Sequence, residues 1–212
     1  MRSHLRCMQT LTDLSNESSG EPRPLIVFTH ANGYPPESYE TLLEPLLAHC
    51  RVLTVEHRPL WGADAAPRTL DWQVYAGDLI ATLEREVDEP VFLVGHSMGA
   101  GVALMAAATI PERVSGVVVI EGLGPLTTEA SDAPSTLRQA SLEKSPSLPN
   151  RVYATVEEAV ERRARLVPEI PIDATQELVL RGLSPVEGGW VFSHDPRLRM
   201  TSTLRLTEAH VS

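Results

Sequence analysis

Cysteine is scarce in this chain: Cys7 and Cys50 are the only two in 212 residues. Neither has a metal-ligand or redox-motif spacing, and a disulfide between them does not follow from the sequence. Cys50 follows "LLAH" and leads into a predicted strand, where a free thiol behaves as a small apolar residue. Positive charge is also short, with 18 Lys and Arg against 28 Asp and Glu and a formal net charge of −10. Such a surface repels nucleic acid and anionic lipid, and no basic stripe compensates. The one basic cluster, Arg162, Arg163 and Arg165, shares its segment with Glu157, Glu158 and Glu161. It reads as a solvated helix face with i,i+4 pairs. Long apolar runs are missing, and the N-terminal "MRSHLRCMQTLTDLSNESSG" has no signal-peptide core. The expectation is a soluble, cytoplasmic protein with no nucleic-acid or membrane partner, no cofactor and no metal. No internal repeat is visible.

What the chain does have is material for one core, with 42% hydrophobic and 22% charged residues. "HLRCMQTL" offers a short strand near the start. "LIVF" (25–28), "RVLTVEH" (51–57), "VFLVG" (91–95) and a stretch within "RVSGVVVIEG" (113–122) read as buried strands. Helices are predicted at 37–48, with Pro45 in its middle, at 72–87 behind Asp71 as N-cap, and at 98–109. Strands apolar on both faces, alternating with helices, argue for a mostly parallel sheet covered on two sides. After Gly122 the alternation stops. Prolines punctuate 123–150, helices are predicted at 155–167 and at 173–181, the latter with Asp173 as N-cap and Gly182 just past its end, and "VEGGWVF" suggests a hairpin around Gly188-Gly189. The expected division is a core over 1–122, a mainly helical covering insertion over 123–204, and the start of a return to the core over 205–212.

The chemistry starts at "FLVGHSMGAG" (92–101). A strand, then Gly95-His96-Ser97-Met98-Gly99, then a helix is the context of a nucleophile elbow, in which a serine stands on a strained turn above the sheet. Small neighbours are needed there, and glycines stand two before and two after Ser97. Acyl transfer also needs two N–H donors for the oxyanion. Met98 supplies one by following the serine. The loop "FTHANG" (28–33) offers the other, from Asn32 or Ala31.

These residues, together with "PERVSGVVVIEG" at 111–122, "RVYATVEEAV" at 151–160 and "GGWVFSHDPRLR" at 188–199, resemble the α/β-hydrolase superfamily, and the covering segment resembles its serine-hydrolase-like branch. The resemblance runs from about Leu25 onward. It departs in two places. His30-Ala31 stands where such hydrolases often have His-Gly, and "EHRPLWGAD" stands where an Asp-x-x-Gly-x-Gly loop is usual. His30, His96 and Trp61 are candidates for lining the substrate pocket. His30 also lies where it can brace the oxyanion loop, and Trp61 also fits packing beneath a loop.

The family order is serine, acid, histidine. Five of the seven histidines precede Ser97, leaving His194 in "SHDPRLR" and His210 near the end. Neither stands in a loop after a final strand, and each reads as a surface or packing residue rather than a base. Glu121 follows "VVVI" at the end of a strand and either orients a histidine or bonds a loop. Asp195, before Pro196, reads as a turn former. The resemblance implies two more strands, a histidine loop and a closing helix after Ser212, about 60–80 residues by the usual size of βα units. The expectation is therefore a C-terminally shortened esterase-like serine hydrolase, acting on a small ester through an acyl-enzyme on Ser97 and impaired by the loss of its histidine. The alternative is a non-catalytic remnant that binds a small apolar ligand or a partner chain, with an uncovered sheet edge open to association. Lyase or perhydrolase chemistry on the same fold is a third option.

Overall fold

A computed structural model describes residues 11–15, 23–60, 71–122, 127–143, 150–199 and 207–211. One five-stranded sheet organises the first half. Its strands are β1 (Leu11–Asp13), β2 (Leu25–Thr29), β3 (Arg51–Val55), β4 (Val91–His96) and β5 (Val114–Ile120), in the order β1-β3-β2-β4-β5. β1 runs antiparallel to β3 and all other pairings are parallel. The expected strand at "HLRCMQTL" falls mostly outside the described residues, and β1 begins at its last residue.

Right-handed crossovers explain where the helices go. From β2 the chain steps to β3 on one side, through a 3-10 turn (Pro36–Tyr39), the single-turn helix α1 (Glu40–Leu43) and a second 3-10 turn (Glu44–Ala48). The helix predicted at 37–48 is broken in this way because Pro45, with no N–H, can only stand at the start of a new turn. From β3 and then β4 the chain steps the opposite way, through α2 (Trp72–Glu86) and α3 (Met98–Thr109). The same handedness therefore puts α2 and α3 on one face and the α1 segment on the other.

Two apolar clusters follow. Val27, Leu53 and Leu93 of the sheet meet Tyr75, Leu79 and Leu83 of α2 and Val102 and Ala106 of α3. On the far face Ile26, Phe28, Val52 and Val94 meet Tyr39 and Leu43. β5 departs from the expectation of strands buried on both sides. It is an edge strand of only partial burial, and Val118 is 52% exposed. The asymmetric steps also create a crevice where the chain leaves β2 and β4 in opposite directions, the usual ligand position of such sheets.

The second half holds α4 (Ala133–Leu142), β6 (Val152–Tyr153), α5 (Val156–Leu166), α6 (Ile172–Gly182), β7 (Leu183–Val186), β8 (Gly189–Phe192) and the short α7 (Glu208–Val211). α4 was not legible in the proline-punctuated stretch, because one of those prolines, Pro134, stands in its first turn, where the missing N–H does no harm. Thr155 caps α5 by accepting the Glu158 N–H. Asp173 is not the cap expected of it: α6 starts one residue earlier, behind Pro171, and runs through Gly182. The hairpin is present as β7–β8, with positive φ at Gly188 and Gly189, and β6 joins it as a third antiparallel strand. The insertion expected to be mainly helical thus carries a small sheet as well. It rests on the 36–43 segment through an Arg181–Glu40 ion pair and a hydrogen bond from Thr41 to Glu177.

Candidate functional site

Ser97 closes β4 and caps α3 with φ 52° and ψ −114°, a backbone state that a non-glycine residue rarely occupies. Its N–H donates to the Ile120 carbonyl across the sheet at 2.9 Å. The tightness of the turn dictates its neighbours. A Cβ on Gly99 would stand 2.2 Å from the Thr29 carbonyl oxygen, and one on Gly95 would stand 2.5 Å from that of Gly99. The Thr29 hydroxyl then donates to the Gly99 carbonyl at 2.8 Å, tying the first turn of α3 to β2. Ser97 is half-buried, and among the described residues no imidazole is hydrogen-bonded to its Oγ.

The helix beginning beside Ser97 leaves its first N–H groups without intrahelical partners, and its dipole is positive at that end. The Met98 N–H has no other partner among the described residues, although the Met98 side chain is fully buried against the α2 and α3 cluster. Across the crevice, the loop after β2 separates the two donor candidates. The Ala31 N–H is taken: it donates to the Tyr39 hydroxyl at 3.0 Å. Asn32 is exposed at the crevice, and its N–H makes no hydrogen bond among the described residues.

Tyr39 was not legible as a site residue, since its spacing marks only an apolar helix position. It ties the loop to the elbow. Its oxygen accepts from the Ala31 N–H and lies 2.8 Å from His96 Nδ1, to which it is hydrogen-bonded. The other ring nitrogen of His96, Nε2, faces Glu121 Oε2 at 3.5 Å. Burial pushes the Tyr39 phenol up to about 12, so it stays a donor at any ordinary pH. Glu121 has a positive φ of 49°, and its carboxylate is largely in solvent. Its contact is with His96 of the elbow itself.

His30 requires a correction. It is fully buried, and both ring nitrogens are used within the protein. Nδ1 bonds the Ala31 carbonyl at 2.8 Å, and Nε2 accepts the His57 N–H at 2.9 Å. It offers no atom to a substrate and instead braces the loop as a neutral ring. Desolvation lowers its pKa to about 4. His57, equally buried beside it, is driven well below the usual range for the same reason. Trp61 lies outside the described residues, as does the side chain of His210.

A cavity of about 250 Å3 opens at Asn32 and Gly33. Its walls come from α5, α6 and β8, including Arg163, Val179 and Phe192, and from His194. A Cβ on Gly33 would stand 3.4 Å from the His194 ring, so the covering segment lies directly on the loop after β2. Asp195 forms its turn as read from sequence, accepting the Arg197 N–H at 2.8 Å, and also pairs with the Arg197 guanidinium. The basic cluster is only partly a solvated face. Arg165 pairs with Glu161 at i,i+4, but Arg162 and Arg163 line the cavity. Among the described residues, no group of three or more His, Cys, Asp or Glu side chains could hold a metal ion, and no helix is long and apolar enough to cross a membrane.

Comparison with known proteins agrees with this geometry. A serine hydrolase-like protein from Danio rerio is 30% identical over 136 residues, which is 61% of this chain and 41% of that protein. A monoglyceride lipase from Rattus norvegicus is 33% identical over 127 residues, 57% of this chain and 41% of its own length. The chain thus spans about two fifths of these two curated relatives. The crystal structure of a hypothetical protein from Pseudomonas aeruginosa PAO1 superposes with a TM-score of 0.78 at 35% identity, covering 91% of this chain and 69% of that one. The family model of the alpha/beta hydrolase family matches residues 26–210. With an elbow serine at the carboxyl end of a parallel sheet and a match over most of its length, the chain belongs to the alpha/beta hydrolase family, and it is similar to that family's serine hydrolase-like members.

Proposed function

We propose that this chain carries the nucleophile and oxyanion half of an esterase-like serine hydrolase, with residues 123–204 as a cap over the site. The observation that supports this best is Ser97 on its strained turn with two N–H groups, those of Met98 and Asn32, left without partners nearby. In the proposed reaction Ser97 Oγ bonds to the carbonyl carbon of a small ester. Its proton leaves for a base, and the C–O bond to the alcohol breaks as the alcohol takes up a proton. The negative oxygen that forms between these events rests on the Met98 and Asn32 N–H groups, where preorganised donors are worth about 3 kcal/mol. Water then releases the acid.

Among the described residues no imidazole is hydrogen-bonded to Ser97 Oγ, and with these residues alone acylation is slow. Removal of a triad member still leaves a rate about 10³-fold above background in such enzymes, supplied by the oxyanion hole and binding. A fluorophosphonate probe tests the reading, because a nucleophilic serine oxygen bonds to its phosphorus and displaces fluoride. Mass spectrometry is expected to find the adduct on Ser97 and none in Ser97→Ala.

The same missing contact on Ser97 favours a second reading, in which the chain binds a small apolar ligand in the cavity without turning it over. Slow p-nitrophenyl acetate hydrolysis that vanishes in Ser97→Ala decides for the first reading. No adduct and no hydrolysis, with ligand binding retained, decides for the second.

A further inference from the structure

The cavity beside Asn32 has a chemistry that plain ester recognition does not use. Tyr153, Leu178 and Phe192 make its apolar side, and Arg162 and Arg163 stand on its polar side with no carboxylate in the lining. The half-buried Arg163 guanidinium makes no ion pair with a carboxylate among the described residues, whereas Arg162 is exposed and interacts with the Glu158 carboxylate. Arg163 is held from one side: it donates to the Tyr34 hydroxyl, and its guanidinium lies over the Tyr34 ring, 5.4 Å from the centroid. Its Nε is buried and has no hydrogen-bond partner among the described residues. A buried charged donor left unpaired is costly, and burial already works against this guanidinium's charge. The planar edge of a guanidinium matches a carboxylate, which it binds through two parallel hydrogen bonds. Asn32, the proposed oxyanion donor, lines the same cavity as Arg163, while Ser97 and Met98 stand outside its lining.

We propose that the cavity recognises a carboxylate, and that the ester acted on carries a short acyl chain ending in one, with the carboxylate on Arg163 and the ester carbonyl toward Asn32. This rests on the acyl-transfer reading of Ser97. Carboxylate binding can be measured without turnover. Titration calorimetry on the Ser97→Ala chain compares monoethyl glutarate with ethyl pentanoate, which has the same length and no charge. The charged ester is expected to bind about tenfold tighter, the scale of one charge-assisted hydrogen bond. The difference shrinks with added salt and disappears in Arg163→Met. Arg162→Gln covers the case in which Arg163→Met fails to fold, and it is expected to reduce the preference with the thermal midpoint unchanged. Equal affinity for the two esters, no binding of the glutarate at millimolar concentration, or an undiminished preference in the folded variants overturns the proposal. Tighter binding of n-butyl phosphate than of the glutarate also overturns it, by reassigning the headgroup. Failure of the Ser97 reading is seen separately, as a missing phosphonate adduct in a chain that still prefers the carboxylate.

Discussion

Ser97 is held at φ 52° by the bonds around it, and a serine in that region stores strain of about 1–3 kcal/mol. Glycine occupies positive φ freely. Ser97→Gly is therefore expected to stabilise the chain by about 1 kcal/mol in urea unfolding while abolishing phosphonate labelling. An unchanged or lower midpoint would show that the turn is not strained. Tyr39 carries the opposite kind of contribution. Its hydroxyl satisfies the buried Ala31 N–H and reaches His96. Tyr39→Phe leaves that N–H unpaired and is expected to cost about 1–3 kcal/mol of stability. It also frees the loop that presents Asn32, so labelling of Ser97 should slow by more than the stability loss explains. Ser97 was legible from its glycines and its strand-to-helix setting. Tyr39 was not, because a hydrogen bond to residue 96 leaves no mark on the spacing around residue 39.

Among the elements, α2 shows local rules at work. Asp71 accepts the Val74 N–H at 3.0 Å, as an N-cap should. Asp71→Ala is expected to lower stability by about 1 kcal/mol, read from thermal or urea midpoints, with no effect on Ser97 labelling. The predicted α2 and α3 match the observed helices closely, α2 behind its Asp71 cap and α3 directly after the elbow. α6 and its neighbours were harder. Asp173 looks like a cap, yet Pro171 fixes the entry and places Asp173 inside the first turn. The basic cluster on α5 was misread as wholly solvated for a similar reason. Its charges alternate as on an exposed face, and only the packing of α5 against α6 and the 33–34 loop half-buries Arg163, while Arg162 lines the cavity and stays exposed.

At the scale of the whole molecule, two neutral histidines buried under the site couple folding to pH. His30 has its pKa lowered from 6.5 to about 4 by desolvation, and His57 moves the same way. The unfolded chain takes up protons near 6.5 that the folded chain refuses until about 4. Stability is thus complete above 6.5 and falls as pH drops through that window, by at most about 1.4 kcal/mol per pH unit for each histidine. Urea midpoints at pH 7, 6 and 5 are expected to decline in that order, with a shallower decline in a folded His30→Gln chain. The sequence by itself determined the alternation of strands and helices and the elbow, because each depends on residues near one another in the chain. Only tertiary structure decided that His30 faces inward, that Tyr39 joins loop to elbow, and that two arginines line a cavity. Those outcomes depend on which distant surfaces meet, and side-chain burial is set by the partner as much as by the residue.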